Sequence, residues 1–379
     1  MSAESTPESG IPGESGTAGP RHRAKGRRRK PRGRRKGLLI MAWTAAGIVV
    51  LGGTGAGYVY FKLNGNIKSV DIDSALGTDR PTKVDNGSEN ILVLGSDTRS
   101  GGSNEKLGGG IDDGSARSDT AMVVHVYEGH KKASVVSIPR DTIVDRPECT
   151  DTKGDTHDAA DGVMFNSAYS TGGAACAVKT VESLSGIRMD HYLEVDFSGF
   201  QKLIDELGGV TVTTTKDIDD PDSHLDLKAG THDLDGEQAL GLVRTRHGVG
   251  DGSDLGRIQL QQAFIKALIN QVKHVDLFGN PTKLYDLANT ATKAVTTDSD
   301  LGSVNKLMAF ANGLKGISSS RMHMVTMPVE YDPADANRVI VEEAKAKQVW
   351  TALKNDKAIP KSATKGTATG EAGGVVSDS

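Results

Sequence analysis

The sequence of 379 residues is poor in aromatic side chains and in cysteine. Phe, Trp and Tyr together make up 4% of the chain, so a core would be built mainly from Val, Ile, Leu and Ala. The two cysteines, Cys149 and Cys176, would be thiols in a reducing cytosol and could pair in an oxidising exterior. Whether the cysteines are paired depends on the compartment in which they lie, and the N-terminal sequence indicates that compartment.

The motifs of several common enzyme classes are also absent. The chain contains no G-x-S-x-G nucleophile elbow, no Walker P-loop, no H-E-x-x-H motif and no C-x-x-C pair. The glycine-rich stretch Gly101–Gly110 lacks the lysine-serine ending of a P-loop, and the histidines are scattered, which argues against a zinc site. Serine-hydrolase, P-loop NTPase, zinc-protease and dithiol chemistry are therefore poorly supported.

The net charge of −4 conceals a strong asymmetry along the chain. Residues 1–36 hold 11 of the 45 Lys and Arg residues, residues 37–61 hold no charged side chain, and the remainder carries 34 basic against 46 acidic residues. A body of this charge is a poor generic nucleic-acid binder, because duplex affinity depends on neutralising phosphates over a wide surface. We therefore predict no nucleic-acid partner.

The uncharged stretch 37–61 predicts a membrane span. As a helix it would measure about 37 Å, enough to cross a hydrocarbon core of about 30 Å. The arginines precede it, so the positive-inside rule places residues 1–36 in the cytoplasm as a disordered basic tail. We expect a single-pass protein of the cell membrane with an extracellular catalytic domain; a cleaved signal peptide is the alternative.

The rest of the chain divides by composition. Residues 62–88 are predicted to be a juxtamembrane stalk, residues 89–360 an extracellular domain and residues 361–379 a disordered tail. With the domain outside the cell, Cys149 and Cys176 become a plausible disulfide that closes a loop of about 28 residues. Two unpaired buried thiols are the alternative.

Strand and helix patterns interleave through the body. Strands are predicted at Asn90–Ser96, Thr120–Tyr127, Ala133–Pro139, His191–Asp196, Gly209–Thr214 and His323–Val329. Helices are predicted at Gly173–Leu184, Phe197–Leu207, Gly236–Val243, Asp254–Lys273, Leu301–Leu314 and Val341–Lys354. Most strands are continuous β-branched runs, which indicates a sheet buried on both faces. We therefore predict an α/β fold, an α-β-α sandwich with a central mixed sheet.

Arginine and aspartate recur at the predicted strand ends. The pairs are Asp97 with Arg99, Arg117 with Asp119, and Arg140 with Asp141, and a later stretch adds Arg244, Arg246, Asp254, Arg257 and Gln261. One such pair is usually a surface salt bridge. Open α/β sheets bind ligands outside strand ends, arginine forks suit phosphate, and neighbouring carboxylates suit Mg²⁺. The set therefore predicts a site for a metal and a pyrophosphate.

Seven motifs, in order, are similar to those of the LytR-CpsA-Psr family of cell-envelope proteins, in its actinobacterial form. They are "LVLGSDTR", "RSDTAMVVHV", "VVSIPRDT", "FNSAYSTGG", "VDFSGFQKLIDELGGVTV", "LDGEQALGLVRTRH" and "SDLGRIQLQQ". The resemblance implies an α-β-α sandwich with an apolar channel for a polyprenyl chain. It also implies a phosphotransferase that moves a glycopolymer from a polyprenyl-pyrophosphate carrier to peptidoglycan as a phosphodiester.

The resemblance assigns roles to the charged residues. Asp97 and Asp119 would bind Mg²⁺, and the phosphate-binding residues would be Arg99, Arg117, Arg140, Arg244, Arg246, Arg257 and Gln261. We expect Arg140, Asp141 and Asp254 to be catalytic, with one of the two carboxylates accepting the proton of the acceptor hydroxyl. The apolar helices around Phe200 and Ile265 would line the lipid channel or be ordinary core.

The chain departs from the family pattern at two positions. Leu260 stands where many members have arginine, and Met164 stands where many have lysine, so two cations are missing from the expected rim. Two other functions stay open: a pyrophosphatase that hydrolyses the polyprenyl-pyrophosphate-linked substrate, and a non-catalytic membrane-anchored envelope regulator. The expected partners are the lipid-linked glycopolymer, peptidoglycan and the membrane.

Overall fold

The computed structural model of the chain describes residues 55–96, 118–246, 253–275 and 279–367. The predicted cytoplasmic tail and residues 37–54 of the predicted membrane segment lie outside these ranges. Within them, no helix has the length and apolarity needed to cross a membrane.

Strands and helices alternate through the described residues. The strands are β1 (Lys68–Val70), β2 (Glu89–Ser96), β3 (Ser118–Val126), β4 (Ala133–Ile138), β5 (Thr142–Arg146), β6 (Cys149–Thr150), β7 (Thr156–His157), β8 (Ala160–Met164), β9 (His191–Asp196), β10 (Val210–Thr214), β11 (Ile218–Asp220), β12 (Leu225–Leu227), β13 (Gly230–Leu234), β14 (Val295–Asp298), β15 (Met322–Thr326), β16 (Val329–Asp332) and β17 (Asp335–Val341). The helices are α1 (residues 55–66), α2 (Ile72–Leu76), α3 (Asn166–Ser185), α4 (Phe197–Leu207), α5 (Gly236–Arg244), α6 (Asp254–His274), α7 (Pro281–Ala294), α8 (Val304–Leu314) and α9 (Glu343–Lys354).

A central sheet of seven strands has the order β1-β14-β9-β2-β3-β4-β15. The pairs β1/β14, β9/β2 and β4/β15 are parallel, and β14/β9, β2/β3 and β3/β4 are antiparallel. The predicted mixed sheet is therefore confirmed. A second, four-stranded sheet runs β16-β17-β5-β8 beside it.

Both faces of the central sheet are buried against helices. Leu92 and Leu94 of β2 are fully buried in one core with Val181 of α3 and Trp350 of α9. On the opposite face, Ile91 is buried in a core to which α8 contributes Phe310. The continuous apolar runs in β2, β3 and β4 are explained by this burial on both sides.

A separate lobe forms from α4, α5 and α6 with two hairpins, β10–β13 and β11–β12. The predicted strand Gly209–Thr214 is confirmed as β10, which lies outside the central sheet and pairs with β13. The alternation explains this: Val210 and Val212 are buried while Thr211 between them is exposed, the pattern of a strand buried on one face.

Residues 62–88, predicted as a stalk, are packed into the domain. They contribute β1 to the edge of the central sheet and the short helix α2, whose Leu76 is buried. Arg80 follows and forms a buried ion pair with Glu182 of α3, 2.7 Å between Nη2 and Oε1. Part of the predicted disordered tail is ordered as well, because Ala363 is fully buried in a short 3₁₀ helix.

Cys149 of β6 and Cys176 of α3 form a disulfide. Helix α3 is longer than predicted and contains a kink at Gly172 and Gly173, and Gly173 has φ +62°. A Cβ on Gly172 would lie 2.2 Å from Cys176 Sγ, so the kink requires glycine where the chain passes the disulfide.

Sequence patterns located most helices to within a few residues. Helix α4 matches its predicted range, and Gly208 ends it in the left-handed conformation as expected. Ser253 caps α6 by accepting the N–H of Leu255. Helix α7 was missed, because it is amphipathic without a strong apolar run.

The Arg80–Glu182 pair gives a first prediction. Replacing Arg80 with Met should lower the free energy of unfolding by about 3–5 kcal/mol, because Glu182 would remain as an unpaired buried charge. Urea unfolding measures the change. The control is Lys83→Ala, since Lys83 is 60% exposed in its ion pair with Asp190 and should contribute under ~1 kcal/mol. Equal losses for the two variants would contradict the prediction.

The disulfide gives a second prediction. The bridge spans a sequence separation of 27 residues, so the Cys149→Ser/Cys176→Ser variant should lose about 3–4 kcal/mol of unfolding free energy. The same loss is expected when the wild-type protein is unfolded in dithiothreitol, and the reductant should not change the variant. A variant as stable as the oxidised wild type would show that the bridge does not stabilise the domain.

Candidate functional site

A cleft of about 260 Å³ opens where the start of β3 lies beside the end of β4. Its lining residues are Asp119, Arg140, Asp220, Asp222, Ser223, Arg244, Arg246 and Arg257. The fold thus brings Asp119 together with four of the arginines singled out in the sequence. Asp97, Arg99 and Arg117 lie outside the described residues.

Arg140 leaves the end of β4 and contacts three carboxylates. Its guanidinium forms an ion pair with Asp119, and its Nε lies 3.4 Å from Asp141 Oδ1 and 3.9 Å from Asp254 Oδ1. Its backbone N–H donates to Asp254 Oδ2 at 3.2 Å. Burial opposes the charge, but the three carboxylates outweigh burial and raise the pKa of Arg140. The guanidinium is thereby held charged and in place.

Arg257 lies in the first turns of α6 and is 4% exposed. It forms an ion pair with Asp254, three residues earlier, and donates from Nη2 to the backbone oxygen of Asp119 at 2.9 Å. Asp254, expected to be catalytic, therefore contacts both Arg140 and Arg257. Its carboxylate is 9% exposed and does not line the cleft, so it acts here as an anchor for two arginines.

Arg244 and Arg246 approach the cleft from the end of α5. The helix starts at a capping box formed by Asp235 and Gln238. It ends at Arg244, because Thr245 leaves the helical conformation with φ −56° and ψ 134°. This change of direction lets both arginines line the same cleft. The Arg244 guanidinium also lies 5.3 Å from the centre of the Phe197 ring, a cation–π distance.

The structure adds three cleft residues that sequence reasoning missed. Asp220, Asp222 and Ser223 come from the β11–β12 hairpin, which forms the wall beside Arg246. The hint in the sequence is the acidic stretch "DIDDPD", residues 217–222. Acidic hairpins are common on solvated surfaces, so this stretch could be connected to the arginines only through the fold.

Gln261, expected to bind phosphate, lies behind the cleft and is 5% exposed. Its Nε2 donates to Thr120 Oγ1 at 3.0 Å and to the backbone oxygen of Val243 at 2.9 Å. The amide therefore ties α6 to β3 and to α5, one residue before Arg244. Gln261 lies one helical turn after Arg257, but its side chain points between these elements.

The two departures from the family pattern have different surroundings. Leu260 is 1% exposed in the lobe core, so its side chain lies away from the cleft wall. Met164 ends β8, paired with Ile143 of β5, and is partly exposed. Leu260 is therefore not one of the residues that line the cleft.

Tyr169 of the motif "FNSAYSTGG" belongs to a buried hydrogen-bond network at the end of β2. Tyr169 Oη donates to Glu194 Oε1 at 2.8 Å and accepts a hydrogen bond from Ser96 Oγ at 3.4 Å. Tyr192 donates to the other oxygen of Glu194. Burial, with the Glu194 charge, raises the pKa of both tyrosines, so both hydroxyls stay protonated as donors. The network packs against Ser96, the residue before Asp97.

The pKa of Asp141 is raised by its surroundings. Burial raises the pKa of Asp141, the neighbouring Asp254 adds to this, and the Arg140 guanidinium only partly offsets it. Its side chain is 23% exposed, more than twice the exposure of Asp254. Neither carboxylate is among the residues that line the cleft, and Asp141 is the more accessible of the two expected proton acceptors.

The carboxylate of Asp119 is the described half of the predicted metal site. It lines the cleft beside four guanidinium groups and is 21% exposed, so its oxygens can reach a ligand there. Carboxylate oxygen is the donor that Mg²⁺ prefers, and Mg²⁺ commonly takes one or two carboxylates together with substrate phosphates. Across residues 55–96, 118–246, 253–275 and 279–367, no three His, Cys, Asp or Glu side chains cluster as a metal site of their own.

Four guanidinium groups in so small a cleft suit a multiply charged anion. Arginine forks bind phosphate oxygens in pairs, and partial burial strengthens each contact. The carboxylates of Asp119, Asp220 and Asp222 line the same cleft, which limits its net positive charge. The arrangement offers arginine donors to a pyrophosphate or to two adjacent phosphates.

Comparison with known proteins finds several relatives of this chain. The polyisoprenyl-teichoic acid–peptidoglycan teichoic acid transferase TagT of Bacillus subtilis is 30% identical over 341 residues, which cover 87% of this chain and 97% of that protein. The cell wall biosynthesis protein LcpA of Corynebacterium glutamicum is 32% identical over 265 residues, covering 64% of this chain and 50% of LcpA. A solved structure described as TagT bound to LI-WTA superimposes with a TM-score of 0.54 at 26% identity, covering 76% of this chain and 98% of that one.

The sequence profile of the LytR_cpsA_psr family matches residues 59–355, more than half of the chain. The matched region begins within α1 and includes β1, α2 and Arg80, in agreement with their packing into the domain. It also includes every described residue of the arginine cleft. The chain therefore belongs to the LytR_cpsA_psr family.

Proposed function

We propose that the protein transfers a glycopolymer from a polyprenyl-pyrophosphate carrier to peptidoglycan, forming a phosphodiester. The observation that carries this proposal is the convergence of Arg140, Arg244, Arg246 and Arg257 on one cleft. The similarity to TagT, named as a teichoic acid transferase acting on peptidoglycan, supports the same reaction class.

The arginines bind the pyrophosphate and stabilise the charge that develops during transfer. The acceptor hydroxyl forms a new P–O bond to the phosphorus nearest the sugar, and the bond from that phosphorus to the bridging oxygen breaks. Polyprenyl phosphate leaves with the electron pair of the broken bond. Fixed cations that match the developing charge lower the barrier without reorganising, so positioning supplies most of the catalysis.

Asp141 accepts the proton of the acceptor hydroxyl in this proposal. Its raised pKa makes the carboxylate a better base than an ordinary aspartate. Asp254 is less suited, because its carboxylate is occupied by Arg140 and Arg257.

Asp119, together with Asp97, would hold Mg²⁺ in this proposal. When bound, the ion would add positive charge at the pyrophosphate oxygens beside Arg140. Arg99 and Arg117, from the same segment as Asp97, would add further phosphate contacts.

We also propose that residues 37–61 anchor the chain in the cell membrane, with residues 1–36 in the cytoplasm and the domain outside. The Cys149–Cys176 disulfide supports an oxidising exterior. The lipid of the carrier would lie against partly exposed apolar residues of α6 such as Ile265 and Ile269. Phe200 is less suited to that role, because its ring packs 5.5 Å from Phe264 in the lobe core.

Removing one cleft arginine gives a test of the transfer. Arg140→Ala should reduce transfer from a lipid-linked substrate to peptidoglycan by about 100-fold or more, because a fixed cation is lost from the reacting phosphates. The matched control is Arg338→Ala, whose guanidinium is 44% exposed in a surface pair with Asp335 and should leave transfer unchanged.

Two outcomes would overturn the proposed reaction. Transfer by Arg140→Ala at the wild-type rate would show that the cleft does not take part in the reaction. Release of free glycosyl phosphate without peptidoglycan, as fast as transfer with it, would assign the site to hydrolysis.

The raised pKa of Asp141 gives a pH prediction. A base works only when ionised, so kcat/KM should fall as the pH drops through the folded pKa, which lies above the usual value of 3.8. Asp141→Asn should lower kcat by about 100-fold and flatten this acid limb. Asp145→Asn, an exposed carboxylate on β5, is the control and should keep the wild-type profile. An unchanged acid limb in Asp141→Asn would exclude Asp141 as the base.

A further inference from the structure

The β11–β12 hairpin is bonded to the segment that carries Arg244 and Arg246. Asp220, the last residue of β11, is 1% exposed. Its Oδ2 accepts the backbone N–H of Arg246 at 2.8 Å, and its Oδ1 accepts the backbone N–H of Asp222 at 3.0 Å. One buried carboxylate thus joins the arginine segment to the turn of the hairpin.

A second hydrogen bond joins the hairpin to the arginine segment, one residue before Arg246. The hydroxyls of Ser223 and Thr245 are 2.8 Å apart, and Thr245 is fully buried. Thr245 Oγ1 also donates to the backbone oxygen of Gly241 at 2.9 Å. A Cβ on Gly241 would lie 3.0 Å from the backbone oxygen of Ser223, so glycine there permits the close approach of α5 to the hairpin.

The segment that carries Arg244 and Arg246 needs such hydrogen bonds for two physical reasons. Arg246 follows the end of α5, where no helical hydrogen bond fixes its backbone. Four guanidinium groups also line the cleft and repel one another before an anion arrives. A backbone free to move would let Arg246 swing away, and the site would have to be ordered again on binding.

A carboxylate is suited to this tie in a way that an amide is not. Both oxygens of Asp220 accept a backbone N–H, and bonds from N–H to an ionised acceptor are about twice as strong as neutral ones. Asparagine at the same position would present an NH₂ group to one of the two N–H donors. The negative charge beside Arg246 also reduces the repulsion within the cleft.

We propose that Asp220 is a positioning residue that holds the backbone of Arg246, and with it the Arg246 guanidinium, in the geometry that binds the pyrophosphate. The inference rests on the proposed function, because it assumes that this cleft binds pyrophosphate. It assigns the β11–β12 hairpin, which carries none of the family motifs quoted above, a direct part in the affinity of the site.

The experiment measures binding of inorganic pyrophosphate to the full-length protein in detergent by calorimetry. Asp220→Asn should weaken binding by about tenfold, the equivalent of one lost charge-assisted hydrogen bond. Asp219→Asn, the exposed neighbour on the same strand, is the matched control and should bind as the wild type does. In transfer assays, Asp220→Asn should raise KM for the lipid-linked substrate about tenfold and change kcat far less.

A double-mutant cycle distinguishes positioning from a general loss of structure. If Asp220 acts through Arg246, then Asp220→Asn should weaken pyrophosphate binding little further in the Arg246→Ala background. Equal effects of Asp220→Asn with and without Arg246 would overturn the proposal. Wild-type binding by Asp220→Asn would overturn it as well.

The outcomes also separate this inference from the proposed function. If the wild type does not bind pyrophosphate, or if Arg246→Ala binds it normally, the proposed function fails. If Arg246→Ala weakens binding and Asp220→Asn does not, only the positioning role fails. If Asp220→Asn does not fold, Thr245→Val is used in the same cycle. It removes the hydroxyl that bonds to Ser223, and its effect on pyrophosphate binding should depend on Arg246 in the same way.

Discussion

The repulsion between like charges is the constraint on which this site depends. Four guanidinium groups line a cleft of about 260 Å³, and each must be held there before a substrate supplies negative charge. The carboxylate of Asp254 holds two of them, Arg140 and Arg257, and Asp119 holds Arg140 from the other side. The protein thus holds Arg140 and Arg257 in place with carboxylates that they share.

The fold satisfies this constraint by bringing distant parts of the chain to one point. Asp119 comes from the start of β3, Arg140 from the end of β4, Arg246 from beyond α5 and Arg257 from the start of α6. Strand ends and helix ends are the places where a side chain can leave a rigid element and enter a cleft. Gln261 links three of these elements from behind, so the walls of the cleft are fixed to one another.

The sequence predicted the parts of this structure that have a local cause. The β-branched runs of β2, β3 and β4 located the buried strands, because burial on both faces requires continuous apolar residues. The four described arginines converge because each stands beside a recognisable strand or helix end. The roles of Gln261 and Asp254 could not be read in the same way, since helical spacing gives the face of a side chain but not its partner.

What the sequence could not give depends on contacts between distant residues. Arg80 is separated from Glu182 by more than a hundred positions, and a charged residue after a predicted membrane span looks like part of a linker. Asp220 likewise reads as one acid in an acidic hairpin until the fold places Arg246 against it. In both cases the role of a buried charged side chain can be recognised only when its partner in the fold is known.

The edge position of β1 has a practical consequence for handling this domain. A version of the chain that began at residue 89, where composition alone places the domain boundary, would strip β1 from β14 and expose the backbone donors and acceptors of that strand. It would also lack Arg80 and leave the Glu182 carboxylate buried without its guanidinium. The smallest piece that keeps the sheet intact therefore begins upstream of Lys68.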